Sequence, residues 1–241
     1  TAVTIEDKLN IGDAFPNFTA VKKDLSDFRL DEYKGNIIVI NTFPSIDTGI
    51  CALQTIRFNK EVSDFKVKAY HNEEIIDVEL KDIKGKWSIF FFYPADFTFV
   101  CPTELEDLAD NYEAFKKLNA EIYSVSCDTE FVHKAWHDAS PAIKKIDYIM
   151  IADPTAALAK DFDVYIENKG QAERGTFIVN PDGKIASYEV VSGSIGRNAE
   201  ELLRKLSACK FVYEHDGEVC PAKWREGEET LKPSLDLVGK I

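Results

Sequence analysis

Short apolar runs, each closed by a turn residue, alternate along the chain with stretches whose apolar positions recur every three or four residues. "SIFFFY" (88–93), "AEIYSVS" (120–126) and "YIMIADP" (148–154) have the length and apolar density of buried strands. "EFVHKAWHDA" (130–139) and "TAALAKDF" (155–162) have helical spacing. "GTFIVN", the turn "PDG" and "KIASYEVV" predict a β-hairpin over 175–191. "NAEELLRKLSACKFVYEH" (198–215) predicts a long amphipathic helix, apolar at Leu202, Leu203, Leu206 and Phe211.

An internal repeat interrupts this order. "PSIDTGIC" (44–51) and "PADFTFVC" (94–101) share the spacing P-x-x-x-T-x-x-C. At the same offset Lys34-Gly35 matches Lys84-Gly85, "IIVINTF" matches "SIFFFY", and Phe65 matches Phe115. Each copy reads as a strand, a loop and a helix whose first turn holds the cysteine. The second copy runs on through alternating strands and helices to a closing hairpin, which predicts an α/β sandwich of the thioredoxin kind. The first copy has a leading hairpin in "FTAVKKDLSDFRL" and then stops. Fifty residues cannot cover both faces of a sheet. The expected organisation is therefore an incomplete thioredoxin-like fragment over 1–65, in need of a partner surface, before a complete domain over 66–241, with the fragment's helix face Leu53, Ile56, Phe58 and Phe65 covering part of its own small sheet or the complete domain.

Composition narrows the function. Hydrophobic residues make up 45% of the 241, enough for a core, and the net charge is -13. A chain so acidic is a poor ligand for nucleic acid, whose phosphates need a basic face. No apolar run reaches the roughly 18 residues of a membrane span. The start "TAVTIEDKLN" has neither a basic nor an apolar signal region, so the expected compartment is the cytoplasm. In a reducing compartment the five cysteines, Cys51, Cys101, Cys127, Cys209 and Cys220, read as buried, metal-binding or catalytic rather than as structural disulfides. His133 and His137 are spaced as a zinc pair, but no further ligand is near in sequence, and a helix face is the preferred reading. Cys127 and Cys209 read as core filler.

Cys101 has the setting of a nucleophile. The thiolate is the reactive form, and a helix start favours the anion with its N–H groups and dipole. Pro102 suits the first turn, and Glu104 follows. Thr98 offers a hydroxyl that donates and accepts, as a peroxide requires, and Pro94 can fix the loop. A buried structural cysteine after a strand is the alternative.

The stretch "FYPADFTFVCPTELEDL", with "HKAWH", "SIGR", "GEVCPAKW" and "PSLDLVGKI", resembles the typical two-cysteine peroxiredoxins of bacteria, in order and over about 66–241. The resemblance implies that Cys101 is the peroxidatic cysteine in a pocket completed by Pro94 and Thr98. It implies that Arg174 holds thiolate and peroxide, that Arg197 forms a network with Glu104, and that Cys220 is the resolving cysteine, reaching Cys101 of a neighbouring subunit. It further implies a peroxide substrate, a flavin- and NADH-dependent disulfide reductase (or a thioredoxin-like donor) as partner, a homodimer joined into a ring of five dimers, and no bound cofactor or metal. A non-enzymatic ring scaffold, holdase or redox sensor, is the competing reading. "NIGDAFPNFTA" and "FPSIDTGICALQTIRFN" resemble the bacterial thiol peroxidase branch of the same superfamily, with Cys51, Thr48 and Pro44 as its triplet. No cysteine lies between 52 and 100 to resolve Cys51, and Arg57 is no substitute for the missing arginine. Cys51 is thus a doubtful second site.

Overall fold

The central strand β5 (Trp87–Phe92) has no exposed residue, and this explains the layering around it. Successive side chains of a strand point to opposite faces. Trp87, Ile89 and Phe91 enter one apolar cluster, while Phe90 and Phe92 enter another. A strand buried on both faces reads as a continuous apolar run, as "WSIFFF" does.

The computed structural model describes residues 19–21, 27–29, 60–234 and 237. The chain divides into two units, 1–51 and 52–241. In the first, β1 (Thr19–Val21) and β2 (Asp27–Arg29) pair antiparallel, as the leading hairpin predicts. Cys51, Thr48, Pro44 and the helix face Leu53, Ile56 and Phe58 lie outside the described residues.

The second unit is built on a seven-stranded mixed sheet. In chain order its strands are β3 (Lys66–His71), β4 (Glu74–Glu79), β5, β6 (Ala120–Ser126), β7 (Ile149–Ala152), β10 (Arg174–Val179) and β11 (Ile185–Val191). The two-residue strands β8 (Tyr165–Ile166) and β9 (Gln171–Ala172) pair apart from it. The spatial order is β11-β10-β5-β6-β7-β3-β4. β5, β6 and β7 are parallel neighbours. β10 joins β5 antiparallel, and the predicted hairpin β10–β11 completes that edge. Helices cover both faces, in the thioredoxin-like arrangement. Helix α2 (Cys101–Lys117), α3 (Glu130–Ala139) and α5 (Ala199–Glu214) bring Leu105, Leu108, Phe115, Trp136, Leu202 and Leu206 to the face of Trp87 and Phe91. On the other face, α1 (Leu80–Ile83) and α4 (Ala157–Asp161) bring Ile83, Leu158 and Ala159 to Phe90 and Phe92. Each such large apolar side chain contributes about 1.5–3 kcal/mol by leaving water.

The edge hairpin β3–β4 carries little apolar signal. Its charged residues pair across the strands, Lys66 with Glu79 and Lys68 with Asp77. The chain just before it also belongs to the second unit. Val62 is buried and donates its N–H to the Gly183 carbonyl, and Phe65 packs edge-on against Phe90. Among the described residues no helix is long and apolar enough to cross a membrane.

Candidate active site

β5 runs out at Phe92, and the segment 93–100 carries the chain over the sheet end to Cys101, the first residue of α2. Cys101 has no exposed surface. The neighbouring β10 begins at Arg174 and runs antiparallel to β5, so the start of β10 and the end of β5 meet at one edge. Gly175, next to Arg174, lets Val164 pack directly on the start of β10: a Cβ there would stand 2.8 Å from Cγ1 of Val164, closer than real side chains come.

Arg174 Nη1 lies 3.4 Å from Cys101 Sγ. The same nitrogen donates to Glu104 Oε2 at 2.5 Å, and Nε donates to the Gly193 carbonyl at 2.9 Å. The guanidinium is thereby fixed on both sides, with one edge turned to the sulfur. Glu104 is one turn along α2 from Cys101 and is buried. It also accepts from Arg197, at 2.8 Å from Nε, 3.2 Å from Nη2 and 2.9 Å from the backbone N–H. Arg197 spends Nη1 on the Gly175 carbonyl and Thr176 Oγ1, and its guanidinium sits over the Phe91 ring. Its pKa is drawn down by burial, against the pull of the Glu104 carboxylate. Two buried cations thus share one buried carboxylate, which leaves net positive charge beside the sulfur. Next in sequence, Asn198 caps α5 by accepting from the Glu201 N–H, which anchors Arg197 at a helix start.

Thr98 and Pro94 lie on the loop that leads from β5 to Cys101, both half-buried. Thr98 Oγ1 donates to the Ala95 carbonyl at 2.9 Å, which leaves the oxygen's lone pairs free to accept. Between them Phe97 takes φ +54°, a left-handed conformation costly for a bulky side chain. A buried network below the loop offsets that cost. Tyr93 donates to Asp96 Oδ1 at 2.7 Å, and His133 Nδ1 lies 2.8 Å from Asp96 Oδ2. The His133 Nε2 faces the Ile151 carbonyl at 3.0 Å. The Asp96 N–H donates to Asp128, itself held by Ser126. Burial pushes the His133 pKa down, but the Asp96 carboxylate and the Ile151 carbonyl outweigh it and hold it above its ordinary value. Both ring nitrogens are engaged, so His133 has none left for a zinc ion shared with His137. Sequence reasoning placed His133 on a helix face and missed its role under the loop. Asp96, within the same motif as Thr98 and Cys101, was the available signal.

The structure therefore gathers Cys101, Glu104, Arg174 and Arg197, with Thr98 and Pro94 on the segment that leads into Cys101. Cys220 is not among them. Its Sγ lies 3.9 Å from the Ala208 carbonyl of α5, and burial raises its pKa. Cys127 is half-buried against the Phe90 face and is pushed up to about 11 by burial, then by Asp153 and Asp128. The four described cysteines are free thiols. The arrangement can hold negative charge on a buried sulfur and on an oxygen presented to it.

The pattern of the AhpC/TSA family matches residues 11–71 and again 61–188, and that of the C-terminal domain of 1-Cys peroxiredoxin matches 208–240. Alkyl hydroperoxide reductase C of Bacillus subtilis is 59% identical over 182 residues, which is 76% of this chain and 97% of that one. The protein of that name from Escherichia coli K12 is 57% identical over 183 residues, 76% of this chain and 98% of that one. The crystal structure of Enterococcus faecalis AhpC superposes with a TM-score of 0.67 at 55% identity, over 68% of this chain and 99% of that one. Reduced Plasmodium vivax 2-Cys peroxiredoxin superposes at 0.71 with 31% identity, over 75% and 95%. With the family pattern matched across more than half its length, the chain belongs to the AhpC/TSA family.

Proposed function

We propose that this thiol-dependent peroxidase uses Cys101 as its attacking thiolate and Cys220 of a second copy as its resolving thiol. The observation that carries this reading is the buried Cys101 sulfur at a helix start, 3.4 Å from the fixed guanidinium of Arg174. The thiolate attacks one peroxide oxygen and the O–O bond breaks. The other oxygen takes its electron pair and a proton from solvent and leaves as water or an alcohol, and Cys101 becomes a sulfenic acid. Arg174 opposes the negative charge that spreads from sulfur to the leaving oxygen, in a water-poor site where such interactions count most. Glu104 and Arg197 act through Arg174, which they orient. Thr98 accepts a hydrogen bond from the peroxide hydroxyl, and Pro94 closes the loop.

Cys220 then attacks the sulfenic sulfur, and a disulfide and water form. Cys220 rests on its own α5 beside Ala208, which supports a tail that must move, and a bridge to another chain is the arrangement we favour. A separate disulfide reductase returns both thiols. A flavoprotein that draws on NADH is the partner proposed, with a thioredoxin-like donor as its substitute. Phe97 and Phe99 flank Thr98 with 57% and 93% of their surface exposed, which supports burial of this edge in a homodimer or a ring of five dimers. Light scattering tests the assembly, and a monomer at working concentration refutes it. NADH consumption with hydrogen peroxide and the flavoprotein tests the activity. Consumption should be lost in Cys101→Ser, and its persistence there would refute the assignment.

A further inference from the structure

Cys209 has no part in the cycle just described, yet the chain brings the resolving cysteine to it. Cys209 lies near the end of α5, partly buried against the Trp87 face. Beyond His215 the chain turns at Gly217, with φ +80°, and folds back along the helix. Val219 and Leu231 exchange backbone hydrogen bonds of 2.9 and 3.0 Å and close this returning segment. Trp224 is buried, with its ring 5.1 Å from that of Phe211. Arg204 Nη1 donates to the Trp224 carbonyl at 3.2 Å and pins the segment to α5. The Cys220 sulfur is thereby delivered to the Ala208 carbonyl, whose carbon is bonded to the Cys209 nitrogen. The charge of Arg204 is felt by both sulfurs. After burial, the nearness of Cys220 is the next cause that pushes Cys209 up, to about 11. Cys209 is thus a partly buried thiol next in sequence to the residue whose carbonyl the Cys220 sulfur reaches.

We propose that Cys209 is a third redox cysteine, which takes Cys220 out of the interchain Cys101–Cys220 disulfide and leaves an intrachain Cys209–Cys220 disulfide. The proposal rests on the roles given above to Cys101 and Cys220. Cys209 gives its proton to solvent, and its thiolate attacks Cys220 Sγ. The Cys101–Cys220 bond breaks, and its electron pair leaves on Cys101 sulfur. The products are one new disulfide and one Cys101 thiolate, so the exchange needs no oxidant beyond the peroxide already spent. Exchange runs through the thiolate and is favoured by a leaving sulfur whose charge is stabilised. The Arg174 guanidinium supplies that stabilisation at 3.4 Å. Cys209 is largely protonated near neutral pH, which slows it. It lies eleven residues before its target in the same chain, so once the bridged tail settles back on α5 the attack is intramolecular and gains a high effective concentration. The consequence is that Cys101 meets a second peroxide before any reductant arrives, while the tail carries the disulfide to be reduced.

The test uses the full chain, fully reduced and freed of reductant, mixed with excess hydrogen peroxide. Wild type is compared with Cys209→Ser and Cys209→Ala. Peroxide consumption is followed, and samples quenched with a thiol-blocking reagent are run on non-reducing gels and mapped by mass spectrometry. In wild type the interchain species should form and then decay to a monomer that holds a peptide pair joined through Cys209 and Cys220. Both variants should form the interchain species and keep it. The rapid burst in wild type should be about twofold that of either variant, because Cys101 is released for a second turnover. Equal bursts, with the interchain species equally persistent in all three proteins, overturn the proposal. If no interchain species forms in any of them, the Cys101–Cys220 reading fails and the exchange falls with it.

Discussion

Arg174→Lys keeps the positive charge and removes the geometry. The guanidinium faces Cys101 Sγ at 3.4 Å with Nη1, holds Glu104 with the same atom and holds the Gly193 carbonyl with Nε. A lysine ammonium is a point charge on a flexible stem and cannot reproduce that fork. If it stays with Glu104, the donor facing the sulfur and the leaving oxygen is lost. A hydrogen bond to a charged group contributes about 1.5–3 kcal/mol. At about 1.4 kcal/mol per tenfold, the second-order rate constant of the reduced enzyme with hydrogen peroxide should fall roughly ten- to 150-fold. Stopped-flow mixing under single-turnover conditions, followed by Trp fluorescence, measures that constant directly, and a thermal melt of each protein shows whether the fold is kept. Because Arg174 is only 3% exposed, the lysine substitution should also lower the melting temperature. A folded Arg174→Lys protein within twofold of the wild-type rate constant would refute the reasoning. The sulfur would then owe nothing to the guanidinium's position.

Glu104→Ala removes the one carboxylate between two buried arginines and should cost about 3–5 kcal/mol, a loss of roughly 10 °C that thermal melts would detect. Glu104→Gln should lose less, since an acceptor remains. His133 has a folded-state pKa raised above its unfolded value of about 6.5, so its pairing with Asp96 stabilises fully below that value and fades as pH rises through the folded one. Denaturant titrations should therefore show a larger deficit for His133→Gln at about pH 6 than at about pH 9, and a deficit that grows with pH would contradict this sign. Cys220→Ser should still consume peroxide in a first turnover but stop steady-state recycling by the reductase, and full recycling would remove Cys220 from the cycle.

The central layers were legible because each carries its period in the residues. The turn-bounded run "SIFFFY" has the length and apolar density of a strand buried on both faces, and Leu202 and Leu206 mark the inner side of α5. The edge hairpin β3–β4 was not read. It turns through Asn72 and Glu73, both at positive φ, without the glycine that usually signals such a turn. Its strands are dominated by paired charges rather than apolar alternation. α4 proved shorter than "TAALAKDF" predicts. The Asp153 carboxylate accepts from the Leu158 and Ala159 N–H groups and fixes the helix start after Ala156, which is itself left-handed. At the site, Pro94, Thr98, Cys101 and Glu104 could be read from one stretch. Arg174 and Arg197 meet Glu104 only because β10 runs back antiparallel to β5. That pairing has no local signature, so the resemblance alone pointed to them. Tyr93, Asp96 and His133 meet for the same kind of reason, through the packing of α3 on the sheet.

The most direct measurement asks which sulfur the peroxide oxidises. Fully reduced protein is mixed with one equivalent of hydrogen peroxide in the presence of a reagent that captures sulfenic acids, and the labelled cysteine is located by mass spectrometry in wild type, Cys220→Ser and Cys101→Ser. The account predicts label at Cys101, more of it in Cys220→Ser, where no resolving thiol competes, and none at any position in Cys101→Ser within the same time. Rapid label at Cys51 in the Cys101→Ser protein, or peroxide consumed there at the wild-type rate, would contradict it.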